Sequence, residues 1–421
     1  MVGKAYQWAE GAILEEHSKR KHKILREYFS DYLSVRCGHR RRNRFRLAIM
    51  DGFAGGGRYR CGSPGSPLIF LQELQCAVQR MNIKRAIEGS APLSIECLLI
   101  LNDADRNAVE ALKENIAPIH QEIHEGDQKL SVHIEYSCEK FEHAYLSSKQ
   151  KLQNYRNVIF NLDQCGDMHI KIDAIHDIMS LWAKAEIFYT FMISSLVAFL
   201  QKREPDKLLK RLSHLGIERP ILQELDNIYS RKEWLGAAER MVFDTLQNCS
   251  SFVSPFSINN PGGWQYWFMH FSNSYRARQV YNNILHKNSS FQAHFGRSGI
   301  DMLVYDQIHE MGQLYLFDSD GRKVAREQLF NDTPRFVSDF GESISVREFF
   351  QKIYNTTPAH QDDINAALID NPDLEIKTPT GGTRRKDINI NDIIIRKPQR
   401  SFYAFLGSKT KEKTDDPLLF D

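Results

Sequence analysis

The sequence predicts an α/β fold, a largely parallel sheet wound on both faces by helices. Three observations predict it. From residue 45 onward, apolar runs of strand length alternate with stretches at helical spacing. The first run, Phe45 to Met50, leads into Asp51-Gly52-Phe53-Ala54-Gly55-Gly56-Gly57, where four glycines in seven residues free the backbone to turn through positive φ. The second run, Ile95 to Leu101, ends in Asn102-Asp103-Ala104-Asp105. Strand, glycine loop and helix in that order leave a crevice at the carboxyl end of the strand, where open α/β sheets bind ligands.

The first helix is predicted to open at Ser66 as N-cap, with Pro67 at its first position and Leu68 to Leu74 at helical spacing. A glycine loop alone is also compatible with a plain tight turn. The acids sharpen the reading. Asp51 at the head of the loop repels phosphate but can hold an amine or a hydroxyl. Asp103, at the end of the second strand, can accept hydrogen bonds from both hydroxyls of a ribose. A nucleoside with a positively charged partner fits both, so S-adenosylmethionine suits this loop better than a dinucleotide. Gly52, Phe53, Gly55 and Gly57 join Asp51 and Asp103 as candidate cofactor contacts.

The remaining strands follow in order. Lys129 to Tyr136 alternates as a third strand and ends at Ser137-Cys138-Glu139, which makes Glu139 a candidate contact to the base; an ordinary strand-to-helix turn is the competing reading. Val158 to Gly166 is predicted as the fourth strand and its exit loop. Asn161 and Asp163 there are the candidate catalytic residues, with Asp163 orienting or deprotonating a nucleophile. A capping carboxylate is its alternative role. The exit loop lacks the prolines of the Asp-Pro-Pro-Tyr-like stretch that amine-methylating enzymes often carry, a departure that leaves amine methylation open but unsupported. Helix Ile170 to Trp182 and a fifth strand from Glu186 to Ile193 come next. Residues 196–250 read as an inserted helical subdomain, and Trp264 to Phe271 as the sixth strand. Asp301 to Tyr305 and Gln313 to Phe317 are predicted to complete the sheet or form a hairpin turned at Asp318 to Gly321.

The glycine-loop block, with Arg58, Tyr59 and then Gly65-Ser66-Pro67-Leu68, resembles the signature of the three-Cys-motif partner proteins. His17-Ser18-Lys19-Arg20-Lys21-His22 and Asn161-Leu162-Asp163-Gln164-Cys165-Gly166 are similar to that family's other blocks. The resemblance implies a class I (Rossmann-like) S-adenosylmethionine-dependent methyltransferase fold, and a partner protein with three cysteines of the radical iron–sulfur type. It also places His17, Lys21, Arg58, Tyr59 and Ser66 beside the cleft as candidate substrate contacts. A solvated helix face is the plain alternative for the charged block around Lys21.

Residues 1–44 are expected to form a helical arm, 45–330 the methyltransferase-like domain, 333–405 a separate module, and 406–421 a polar tail. Two helices, Ser345 to Tyr354 and Gln361 to Ile369, precede short strands around Thr380 to Lys386. That order predicts a winged-helix-like module. Asp362, Asp363 and Asp370 on its second helix oppose phosphate, so docking to protein competes with docking to DNA or RNA. The formal net charge of +2 carries no global nucleic-acid signature, yet three basic runs stand out: Lys19 to Lys23, Arg40 to Arg46 and Arg384 to Lys386. Their convergence at the cleft would favour a nucleic acid or a phosphorylated molecule as acceptor, and their dispersal a protein. Seven cysteines without a C-x-x-C pair suggest reduced thiols in a cytoplasm, and no metal site is expected. No apolar run is long enough for a membrane span.

Overall fold

The computed structural model describes residues 8, 11–126, 129–164, 170–192, 212–217, 240–258, 266–289, 292–295, 300, 314–316 and 319–398. Helix α1 (Glu16–Cys37) precedes strand β1 (Arg44–Asp51). Then come α2 (Ser66–Ile87), β2 (Ser94–Asn102), α3 (Arg106–Glu125), β3 (Leu130–Ser137), α4 (Phe141–Leu152), β4 (Val158–Leu162), α5 (Ile172–Leu181) and β5 (Ala185–Phe191). Beyond these lie β6 (Phe252–Ile258), β7 (Tyr266–Ser272), α6 (Tyr275–Lys287), β8 (Gln292–Phe295) and β9 (Leu314–Leu316).

The strands form one sheet in the order β3-β2-β1-β4-β5-β7-β6-β8-β9. The first five are parallel. β7 runs antiparallel between β5 and β6, so the fold is a mixed α/β, Rossmann-like sheet. The order reverses between β1 and β4, which makes the carboxyl ends of those strands the switch point. Past their first residues β1 and β2, like β4 and β5, are mostly apolar and buried on both faces, as parallel strands covered by helices must be. One face packs Phe141, Tyr145, Ile175 and Ile178 against the sheet, the other Leu25, Phe29, Phe70 and Leu74. The arm thereby becomes part of the domain: α1 covers the sheet through an apolar stripe repeating at Ile24, Leu25, Tyr28, Phe29, Tyr32 and Leu33.

Several expectations change here. Gly65, not Ser66, holds the N-cap position of α2. Trp264 to Phe271, expected as the sixth strand, corresponds to the seventh. The sixth is Phe252–Ile258, which carries Pro255. Ser319, Asp320 and Gly321, expected in a turn, begin helix α7 (Ser319–Ser338). Asp301 to Tyr305, the tail, most of the helical insertion and Cys165 to Gly166 lie outside the described residues.

The C-terminal module continues α7 with β10 (Ser343–Ser345), α8 (Val346–Ile353), α9 (Gln361–Ile369), β11 (Leu374–Lys377) and β12 (Ile393–Arg396). Its three strands pair in the order β10-β12-β11. Ser345 caps α8 by accepting from the Glu348 N–H at 3.2 Å. The expected boundary near 330–333 falls inside α7, whose Leu329 and Val337 belong to the module's apolar cluster along with Phe252 of β6. The loop from Tyr354 to Gln361 is gripped by α6. Gln279 donates to the Tyr354 hydroxyl (2.6 Å), Asn282 to the carbonyls of Thr357 and Ala359 (3.0 and 3.2 Å), and Asn283 accepts from the Gln361 N–H (3.1 Å).

Candidate functional site

Three clusters meet at the carboxyl edge of the sheet. The first fixes the glycine loop. Gly55 and Gly57 take φ of +58° and +77°, conformations that disfavour a side chain. The Gly55 N–H donates to Asp103 Oδ2 at 2.9 Å, and Asp105 N–H to Asp103 Oδ1 at 2.9 Å. Burial pushes the Asp103 carboxyl up, against these two bonds. Each oxygen keeps a lone pair, so the carboxylate can still accept from a diol. Asn102, which sequence reasoning passed over, knits the loops together. Its amide donates to the carbonyls of Gly52 and Glu139, both at 3.0 Å, and accepts from the Glu139 N–H. Glu139 is held through its backbone, with its side chain exposed. Phe53 stacks on Phe141, their centroids 6.0 Å apart.

The glycines also answer to packing. A Cβ on Gly52 would meet Phe141 at 2.7 Å, and one on Gly57 would meet Leu112 at 2.8 Å. At Gly55 and Gly56 the obstacle is the Trp8 indole, 2.3 and 2.6 Å away. Trp8 therefore lies on the loop, with Tyr59 at 5.4 Å between centroids and His22 in turn 5.6 Å from Tyr59. The Arg60 N–H to Ala12 carbonyl bond (2.9 Å) ties the arm to the turn after the loop. Arg58 bonds the Gly62 carbonyl of that turn at 2.8 Å.

The second cluster is buried. Asp51 is fully enclosed, accepting from Ser66 Oγ (2.6 Å), Asn161 Nδ2 (3.1 Å) and the Phe53 N–H (3.3 Å). Burial raises its carboxyl to about 7, despite these bonds. The other amide atom of Asn161, Oδ1, is buried with no hydrogen-bond partner among the described residues. Ser66 thus serves Asp51 and not the helix end. Because folded Asp51 holds its proton more tightly than the unfolded chain (3.8 to about 7), unfolding releases a proton across that window. Stability falls as pH rises through it. Asp51→Asn removes this loss, so its stability relative to the wild type is expected to improve from pH 4 to 7 and then level off. The gain is on the order of a few kcal/mol. Thermal unfolding of both proteins at pH 5 and pH 8 checks it: an equal difference at the two pH values would contradict the assignment.

The third cluster brings α1 to the ends of β4 and β5. Lys21 donates to Asp163 Oδ1 from 142 residues away, and Thr190 Oγ1 donates to the same oxygen at 2.7 Å. The Lys21 ammonium also faces the Tyr266 ring at 5.7 Å, and His17 stacks on that ring at 4.5 Å. Burial would raise the Asp163 carboxyl, but Lys21 and Thr190 outweigh it and hold the group below its ordinary range. Burial, reinforced by Lys21, lowers His17 to about 4; burial also lowers His22 to about 4. Both imidazoles are neutral at physiological pH.

Of the sequence candidates, Asp51, Ser66 and Asn161 converge, as do Asp163, Lys21 and His17, while Asp103 stands with Gly55. Thr190, Tyr266 and Trp8 carried no signal beyond being polar or aromatic near strand ends and in the arm, and His22 entered only as the last residue of the His17 to His22 block. The basic runs do not converge. Lys21 is at the carboxyl edge, whereas Arg44 and Arg46 sit at the start of β1, roughly 17–23 Å along the strand from Asp51, where both pair with Glu96. Arg384 is held by Asp392 in the C-terminal module. Among the described residues no group of three or more His, Cys, Asp or Glu is arranged to hold a metal ion, and no helix is long and apolar enough to cross a membrane.

No family model matches the chain, and no curated protein matches it. Among solved structures it is similar to loganic acid methyltransferase with SAH, at 10% identity and a TM-score of 0.23, over 92% of this chain and 99% of that one. A likeness at that score carries no argument about function. What the fold and the site define is a Rossmann-like α/β protein with an elaborated carboxyl edge.

Proposed function

We propose that the protein is an S-adenosylmethionine-dependent methyltransferase. The observation that carries this reading is the joining of the glycine loop to a carboxylate at the end of β2, the Gly55 N–H to Asp103 bond, in a sheet ordered β3-β2-β1-β4-β5-β7-β6. The residues fit the cofactor: Asp103 keeps acceptor capacity for the ribose, and the orphaned Asn161 Oδ1 beside Asp51 suits an ammonium donor. When bound, S-adenosylmethionine supplies the activated methyl group. The chain's own part is to orient the acceptor at Asp163 and exclude water with α1.

The finer assignments belong to the same proposal. A three-Cys-motif partner of the iron–sulfur type rests on the sequence resemblance alone. The order α7, β10, α8, α9, β11, β12 supports a winged-helix reading of the C-terminal module, and its Asp363 is already neutralised by Arg322 and Arg326 (2.8 and 2.6 Å). Dispersal of the basic runs supports a protein or small-molecule acceptor over DNA or RNA. A second reading, a non-catalytic adaptor that keeps the fold, is favoured by Trp8 lying on the glycine loop.

Isothermal titration with S-adenosylmethionine separates the two. The wild type is expected to bind. Asp103→Ala is expected to weaken binding tenfold to a hundredfold, about 1.5–3 kcal/mol for charge-assisted bonds to the ribose. Trp8→Ala, which uncovers the loop, is expected to bind at least as well as the wild type. No binding by either the wild type or Trp8→Ala favours the adaptor. Unchanged affinity in Asp103→Ala removes that residue from the site.

A further inference from the structure

We infer that the β4–β5 edge binds an amine in its ammonium form, and that the Lys21 side chain occupies its seat; the seat is a binding site for the charged amine, whose nitrogen can take a methyl group only after giving up a proton. This rests on the reading of the β4–β5 edge as the acceptor side of a methyltransferase.

The seat has the parts that recognise an ammonium. A carboxylate, Asp163, supplies the countercharge. Thr190 donates to the same oxygen and so fixes the carboxylate's orientation. The face of Tyr266 supplies the second attraction, since a desolvated cation over an aromatic ring gains on the order of 2 kcal/mol. The surrounding imidazoles do not compete, because His17 and His22 are neutral at physiological pH. The Lys21 side chain is 4% exposed and that of Asp163 18%, so the ammonium is the more deeply enclosed of the two.

A purely structural role explains this arrangement poorly. A buried ion pair contributes little net stability unless further hydrogen bonds satisfy both partners. An ammonium has three donors, and Asp163 is the one acceptor hydrogen-bonded to Lys21 among the described residues. Lysine also reaches the seat from α1, an element outside the sheet. Asp163 and Thr190 stand at the ends of β4 and β5, beside the switch point where an open α/β sheet takes its ligand.

The inference is tested with Lys21→Ala, which empties the seat and keeps Asp163. Propylammonium chloride is titrated against thermal unfolding at constant ionic strength, with propanol and butyrate as neutral and anionic comparators of similar length. Propylammonium is expected to raise the Tm of Lys21→Ala by about 1–2 °C at tenfold its Kd. It should leave the wild type and Lys21→Ala/Asp163→Asn unmoved, and neither comparator should act. Equal shifts in all three proteins, or a shift with propanol or butyrate, would overturn the inference, as would no shift at all in Lys21→Ala. If Lys21→Ala does not fold, Lys21→Ser leaves nearly the same space and serves in its place. The assay contains no cofactor, so it is independent of the titration above. Binding of S-adenosylmethionine without an ammonium effect keeps the methyltransferase and removes the seat. The reverse result keeps the seat and removes the methyltransferase.

Discussion

Asp163→Asn is expected to be among the most destabilising single substitutions in the chain, costing about 3–5 kcal/mol. The amide keeps an acceptor for Thr190 but leaves the Lys21 ammonium buried without a countercharge, the situation in which breaking a buried pair costs most. Lys21→Met is expected to cost a similar amount from the other side. The double variant Lys21→Met/Asp163→Asn should recover most of the loss, because neither charge then remains. A double-mutant cycle on thermal midpoints reads the coupling directly; additive losses would mean that the pair is not coupled. In the wild type the stability due to Asp163 is present above its unfolded pKa of 3.8 and is lost as pH falls through its lower folded value. His17 and His22 act over a higher window. The unfolded chain protonates them from 6.5 down to about 4 while the folded one does not, so stability also falls with pH there. Under the proposed function Asp163→Asn also loses methyl transfer while S-adenosylmethionine still binds, since the carboxylate faces the acceptor side.

How legible these features were follows from their range in sequence. The strand, glycine loop and helix order was readable because each part is local: an apolar run, four glycines, a proline at the helix start. Asp103 was readable for the same reason. β6 was not, because Pro255 interrupts Phe252 to Ile258, and a proline ordinarily demotes a run from the sheet interior. Here β6 still pairs with β7 along its length and with β8 at its far end. The role of Ser66 was misjudged because capping is a local rule, whereas Asp51 lies 15 residues back and is the stronger acceptor. Lys21 was visible as one charge in a basic run, but its partner is 142 residues away and nothing local distinguishes it from Lys19 or Lys23. Most of the candidate site is of this second kind, which is why its members were named singly while its clusters were not.

The join between the sheet and the C-terminal module was the least legible part, and it carries the second large expected effect. Arg278 on α6 is completely buried. It donates to the Val253 carbonyl in β6 at 3.1 Å and to the Thr357 carbonyl in the module at 3.4 Å, with its guanidinium 5.1 Å from the centre of the Phe256 ring. Burial lowers its guanidinium to about 9, still charged at neutral pH. Arg278→Ala removes both charge-assisted bonds and opens a cavity at the seam. A cost of about 3–5 kcal/mol follows from two such bonds and the lost packing. Arg278→Met keeps the stem against Phe256 and removes the buried charge, so its loss should be smaller. Because Gln279, Asn282 and Asn283 hold the same loop, the wild type is expected to resist proteolysis across 354–361, and no fragment should start near residue 333, inside α7. In Arg278→Ala, cleavage should appear within 354–361 while the sheet domain stays intact. An alanine variant with wild-type Tm and wild-type resistance would show that the seam is held by the neighbouring amides, with Arg278 adding nothing.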